Sequence, residues 1–155
     1  MKSFKQHLTE SYYLIENIEL AAAHVHDAWV SRDQQKPKEH QNPSLHVSYG
    51  DLPEHEKQKD RDHVEMIGHI AKTHGLDPSN KEHHAAIINH FGSAAHEKWR
   101  AGWEAEHGVG TPKPKPTPDG EVNINVPWAE LHPDWQKDNI DAAKAAIAAH
   151  TTHMR

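Results

Sequence analysis

A chain of 155 residues with 35% hydrophobic side chains and a mean hydropathy of −0.94 can fill one compact domain or two small interlocked units, but not two independent domains with full cores. Its formal charge of −6 leaves no basic face for a general nucleic-acid binder. With no cysteine there are no disulfides, thiolate chemistry or cysteine zinc sites, and no apolar run approaches the length of a membrane span. The 17 histidines would carry the net charge from negative to positive on mild acidification.

In chain order, Phe4 and Leu8 stand at helical spacing and make residues 1–10 a short amphipathic segment. From Ser11 to about Ser31, Leu14, Ile18, Ala21, Val25, Ala28 and Trp29 recur every three or four residues and predict an amphipathic helix. Residues 32–44, with Pro37 and Pro43, read as a surface loop. Leu45, Val47 and Tyr49 alternate with His46 and Ser48 and predict a strand. The Leu52-Pro53 turn then opens a helix from Glu54 to His74, stopped by Gly75. Asp77-Pro78 predicts the cap and first residue of a helix that carries Ile87, Ile88, Phe91, Ala95, Trp99 and Trp103 to near Gly108. Residues 110–120 hold four prolines and read as an extended, solvated loop. Val122, Ile124 and Val126 alternate as a second strand, and Pro133 opens a last helix that faces Trp135, Ile140, Ala143, Ala146 and Ile147 inward.

The chain repeats itself. Val47, Tyr49, Asp51 and Leu52 return as Val126, Trp128, Glu130 and Leu131, and each set leads through a proline to Lys59-Asp60-Arg61 or Lys137-Asp138-Asn139. Aligned on those triplets, the second copy is one residue shorter between Leu131 and Lys137. Upstream, His26-Asp27-Ala28-Trp29 matches His96-Glu97-Lys98-Trp99, and the longer second spacing is filled by the Gly/Pro/Lys segment.

The order of a helix with His-x-x-Trp, a variable loop, a Val-Pro-Tyr-like stretch, an acid-x-Leu-Pro turn and a Glu/Lys-rich Asp-Arg helix resembles the Ryr repeat of ryanodine receptors and of bacterial and phage proteins. Pro127 keeps the proline of that pattern, and Ser48 replaces it in the first copy. The resemblance implies an α+β, mostly helical fold. It implies two pseudo-twofold-related Ryr-like units, residues 11–76 and 77–155, each with two helices and short antiparallel strands. It also implies a non-catalytic module that binds a nucleotide-derived host signal. A protein-interaction or structural role, through the Pro/Lys loop and the acidic helix faces, is the alternative partner class. The start of the chain resembles the capsid-targeting peptide of T-even-like phages, which implies cleavage between Glu10 and Ser11, packaging in the virion head and delivery to the host cytoplasm.

The residues themselves nominate a site. His26, Trp29, Tyr49, Asp60 and Arg61 in the first unit, and His96, Trp99, Trp128, Asp138 and Asn139 in the second, combine stacking surfaces with groups that hold phosphate or ribose oxygens. The tryptophans also suit a core-anchoring role, and Arg61 suits a ligand, an acidic partner on the other unit, or a surface pair with Glu65. His24 with His26, His63 with His69, and His83-His84 with His90 lack metal-ligand spacing, so no metal or cofactor is expected. His26-Asp27 matches the centre of an HD-type hydrolase. That reading weakens because Glu97 follows His96 at the matching place, leaving a metal-dependent hydrolase as the weakest alternative.

Overall fold

The structure is a computed structural model that describes residues 1 and 3–154, without the side chain of Tyr13. Four helices carry it: α1 (Phe4–Asp33), α2 (Glu54–His74), α3 (His84–His107) and α4 (Pro133–His153). A two-stranded antiparallel hairpin, β1 (Pro114–Thr117) and β2 (Gly120–Asn123), lies between α3 and α4. The chain is thus mostly helical α+β.

Each helix is bounded by local chemistry. Ser3 and Gln6 form a reciprocal capping box that starts α1, so residues 1–10 do not stand apart from the next segment; one helix runs from Phe4 to Asp33. Pro53 precedes α2, and Gly75 ends it in the left-handed conformation at φ 65°, its N–H bonded to the Ala71 carbonyl. The expected Asp77-Pro78 helix start is replaced by a turn in which the Asp77 carboxylate accepts from Ser79. A 3-10 turn follows, and α3 begins only at His84. At α4 the His132 ring accepts the Asp134 N–H, and Pro133 supplies the first helical residue.

α4 packs against all three other helices. The shared core contains Ala21 and Val25 of α1, Val64, Ile67 and Ile70 of α2, Ile87 and Phe91 of α3, and Ala143, Ala146, Ile147 and Ala149 of α4. Val64, Ile67 and Ile70 lie eleven, fourteen and seventeen residues past Pro53, and Ala143, Ala146 and Ala149 lie at the same distances past His132. Large side chains on one helix therefore meet alanines on the matching face of the other, which lets the two approach closely. Burying Ile67 alone removes enough apolar surface to contribute about 2 kcal/mol. Tertiary packing of α1 begins near Ile18. Before it, Phe4, Leu8, Tyr12, Leu14 and Ile15 are all more than half exposed.

Two expected strands are corrected. Leu45 to Tyr49 form no strand: 3-10 turns occupy Pro43–Leu45 and Tyr49–Asp51, because Pro43 and the Leu52-Pro53 corner keep the intervening segment too short to pair. The presumed solvated loop 110–120 instead contains β1. Its prolines fall at alternate residues, and Ile124 donates to the Lys113 carbonyl, so Pro114 and Pro116 occupy the ladder positions that need no N–H. β2 accordingly ends at Asn123, short of the expected Val126.

Candidate functional site: two matched helix corners

The two copies of the motif are held by the same contacts. His26 Nε2 lies 2.7 Å from the Val47 carbonyl, and His96 Nε2 lies 2.8 Å from the Val126 carbonyl. A carbonyl only accepts, so each ring carries its proton on Nε2. Both imidazoles are buried and stack against the tryptophan three residues on, His26 with Trp29 and His96 with Trp99, at ring separations of 6.1 and 5.7 Å. Beneath them, a single-turn 3-10 helix starts with Tyr49 or Trp128, both buried. Tyr49 donates to Glu19 and Trp128 donates to Asn89, and each acceptor sits seven residues before the histidine of its unit.

From Val47 and Val126 onward the units align without a gap, which corrects the one-residue deletion expected from sequence. Leu52 then matches Leu131, Pro53 matches His132, Asp60 matches Asn139, and Arg61 matches Ile140. The exchanges are mutually consistent. Arg61 ion-pairs with Glu19 and Glu54, an arrangement that holds the Glu19 carboxyl below its usual range and the guanidinium above its own. Burial and the bond to Glu19 push the Tyr49 hydroxyl up to about 12. In the second unit the acid becomes Asn89 and the guanidinium becomes Ile140, so both charges leave together.

Arg61 is therefore a structural residue of the first unit. Its partners are Glu19, Glu54 and Gln58 in place of Glu65, all within the first unit. Tyr49 and Trp128 are core anchors, and His26 serves the Val47 carbonyl. Of the ten nominated residues, six line cavities. Trp29, Asp60 and Asp138 border one of about 450 Å³; His96, Trp99 and Asn139 border a second of about 500 Å³.

The second cavity is an indole groove. Trp99, Trp103 and Trp135 line it, with Trp99 stacked on Trp103 at 6.0 Å. The hairpin is fastened to this wall by indole N–H groups: Trp103 donates to the Thr111 carbonyl at 2.9 Å and Trp135 to the Pro116 carbonyl at 3.1 Å. That attachment brings Lys113 over the face of Trp103, at 4.7 Å, and Lys115 over that of Trp135, at 5.3 Å. The half-buried Asn139 amide and the Trp99 indole N–H make no hydrogen bond among the described residues. The groove therefore offers indole rings, two ammonium groups and unused polar hydrogens.

Sequence reasoning missed Trp103, Trp135, Lys113 and Lys115. The lysines sat in a segment whose prolines read as solvated, although their i, i+2 spacing carried the signal that they share one strand face. Glu10 and Ser11 are exposed, but they lie inside α1, so a protease would have to unwind a turn to reach the bond. Among the described residues no group of three or more His, Asp or Glu is placed to hold a metal, and no helix is long and apolar enough to cross a membrane.

Asp60 is strained by its surroundings. Burial, partly offset by His26 Nδ1 at 3.8 Å, pushes its carboxyl up to about 6, with Glu56 adding to the rise and Lys59 opposing it. Through this one carboxyl the folded state binds more protons than the unfolded chain between about pH 4 and 6, and the stability it contributes is lost as pH rises through that window. Asp60→Asn, which installs the residue of the matching second-unit position, is expected to raise stability at pH 7.5 by about 1 kcal/mol after solvent screening. It should leave stability at pH 4 nearly unchanged. Thermal unfolding at the two pH values checks this; a lower midpoint for the variant at pH 7.5 would show instead that an Asp60–His26 ion pair is stabilising.

Compared with known proteins, the chain matches no family model and no curated protein.

Proposed function

We propose that the protein is a non-catalytic binding module in which a Ryr-like unit is used twice about a pseudo-twofold axis. The second unit receives a small, flat, anionic ligand of the nucleotide-derived class. The observation that supports this reading is the indole groove, where Lys113 and Lys115 stand over Trp103 and Trp135 beside the unengaged Asn139 amide. A base stacks on an indole face, an amide reads the donor and acceptor pattern of its edge, and ammonium groups take the phosphates. Cation–π contact keeps the two lysines at the groove in the absence of ligand, which lowers the entropic cost of binding. The matched contacts of the two units, from Tyr49–Glu19 and Trp128–Asn89 to the two histidine-carbonyl bonds, support the doubled architecture.

Calorimetry with ADP-ribose and a panel of cyclic nucleotides tests the reading. Saturable binding is expected for at least one ligand. Affinity should fall about tenfold in Asn139→Ala, by about 1.4 kcal/mol, and further in the Lys113→Ala/Lys115→Ala double variant, with reduced salt dependence. An absence of heat with every ligand, or binding indifferent to these variants, would remove the nucleotide role.

A further inference from the structure

The first cavity has a different chemistry from the indole groove. It lies where α1, α2 and α4 meet, enclosed by Val25, Trp29, Arg32, Asp60, His63 and Asp138 among others. Val25 and Trp29 occupy the helix positions that Ala95 and Trp99 occupy at the groove, and Asp60 stands where Asn139 does. The matching corner of the fold has thus kept its tryptophan wall while changing its polar groups.

Its charges do not cancel internally. Lys36 pairs with Asp33 at 3.7 Å, and Lys137 pairs with Asp141 at 2.6 Å. Asp33 is further satisfied by the Asn42 N–H and His46. Arg32 is left on the positive side, and Asp60 with the exposed Asp138 on the negative side. Arg32 is half-buried and has no hydrogen bond or ion pair among the described residues, and its charge is felt by both His63 and Lys137. Asp60 accepts no hydrogen bond among the described residues, and the His26 ring nitrogen lies 3.8 Å from it. His63 also lines the cavity, and its Nδ1 is buried with no hydrogen-bond partner among the described residues. A simple anion entering here meets the carboxylates of Asp60 and Asp138; a simple cation meets Arg32. A molecule that carries both charges matches Arg32 and Asp60 at once.

We propose that this cavity binds a small zwitterion of the α-amino-acid type, its carboxylate on the Arg32 fork, its ammonium on Asp60 and its side chain over Trp29. A volume of about 450 Å³ admits such a molecule. The site stands apart from the indole groove and does not rest on the nucleotide reading.

The probes are the twenty free amino acids, titrated calorimetrically into the full chain at pH 7.5, together with the N-acetyl and C-amide forms of whichever binds. At least one free amino acid is expected to bind saturably. Both blocked forms should lose at least tenfold in affinity, as should Arg32→Gln and Asp60→Asn, while Asn139→Ala in the other cavity leaves binding unchanged. Thermal unfolding of each variant separates lost binding from lost fold. No binding by any amino acid, equal binding of the blocked forms, or binding indifferent to Arg32→Gln in a folded variant would overturn the proposal.

Discussion

Gly92→Ala is expected to destabilise the protein by at least about 3 kcal/mol, measured as the shift in chemical or thermal unfolding. A Cβ at this helix position would fall within 2.6 Å of Trp128 Cε2 and closer still to Cζ2 and Cη2. These atoms belong to a rigid ring whose Nε1 is tied to Asn89 at 3.1 Å, so the indole cannot swing aside without leaving a buried polar group unpaired. Alanine otherwise favours a helix over glycine by about 1 kcal/mol, which makes a large loss the more diagnostic. The corresponding place in α1 is Ala22, fully buried against Tyr49 and Leu52. A smaller ring there leaves room for the methyl group, so the two units solve one packing problem with different pairs: alanine beneath tyrosine, glycine beneath tryptophan.

His96→Ala is expected to cost about 3 kcal/mol, and His26→Ala a similar amount within about 1 kcal/mol. Each substitution removes a buried ring, opens a cavity against the adjacent tryptophan, and leaves the Val126 or Val47 carbonyl without its donor. Through these bonds each histidine fixes where the motif stretch crosses its helix. Denaturant titration of the two variants provides the comparison. If His26→Ala were tolerated while His96→Ala unfolded the chain, the two bonds would not be structural equivalents.

Much of this construction was legible in the residues. The four helices follow from apolar spacing, and the pairing of His-x-x-Trp with Val-x-aromatic marks both corners. What escaped did so for physical reasons. Alternation at Leu45, Val47 and Tyr49 suits a strand, yet a segment broken by Pro43 and Pro53 has no neighbour to pair with and coils into 3-10 turns. The Pro/Lys segment became a strand because its prolines fall in phase with the ladder, a relation visible only once a partner strand is known. Aligning the identical Lys-Asp pairs displaced Asn139 from Asp60 by one residue. Helical register counted from the turn restores the match, and it is register, not identity, that decides which side chains face a cavity. The role of Arg61 was hidden because its partner Glu19 lies 42 residues away in sequence.

The correspondence of the two corners can be tested by a double-mutant cycle on Gly92 and Trp128. Trp128→Tyr alone should destabilise the protein by about 1–2 kcal/mol, since a smaller ring underfills the space beneath Gly92. In the Gly92→Ala background the same change recreates the Ala22 and Tyr49 pair, and it should instead stabilise, recovering at least about 1 kcal/mol. Such a reversal of sign is the predicted result; losses that simply add, leaving the double variant less stable than Gly92→Ala, would contradict the equivalence of the two units.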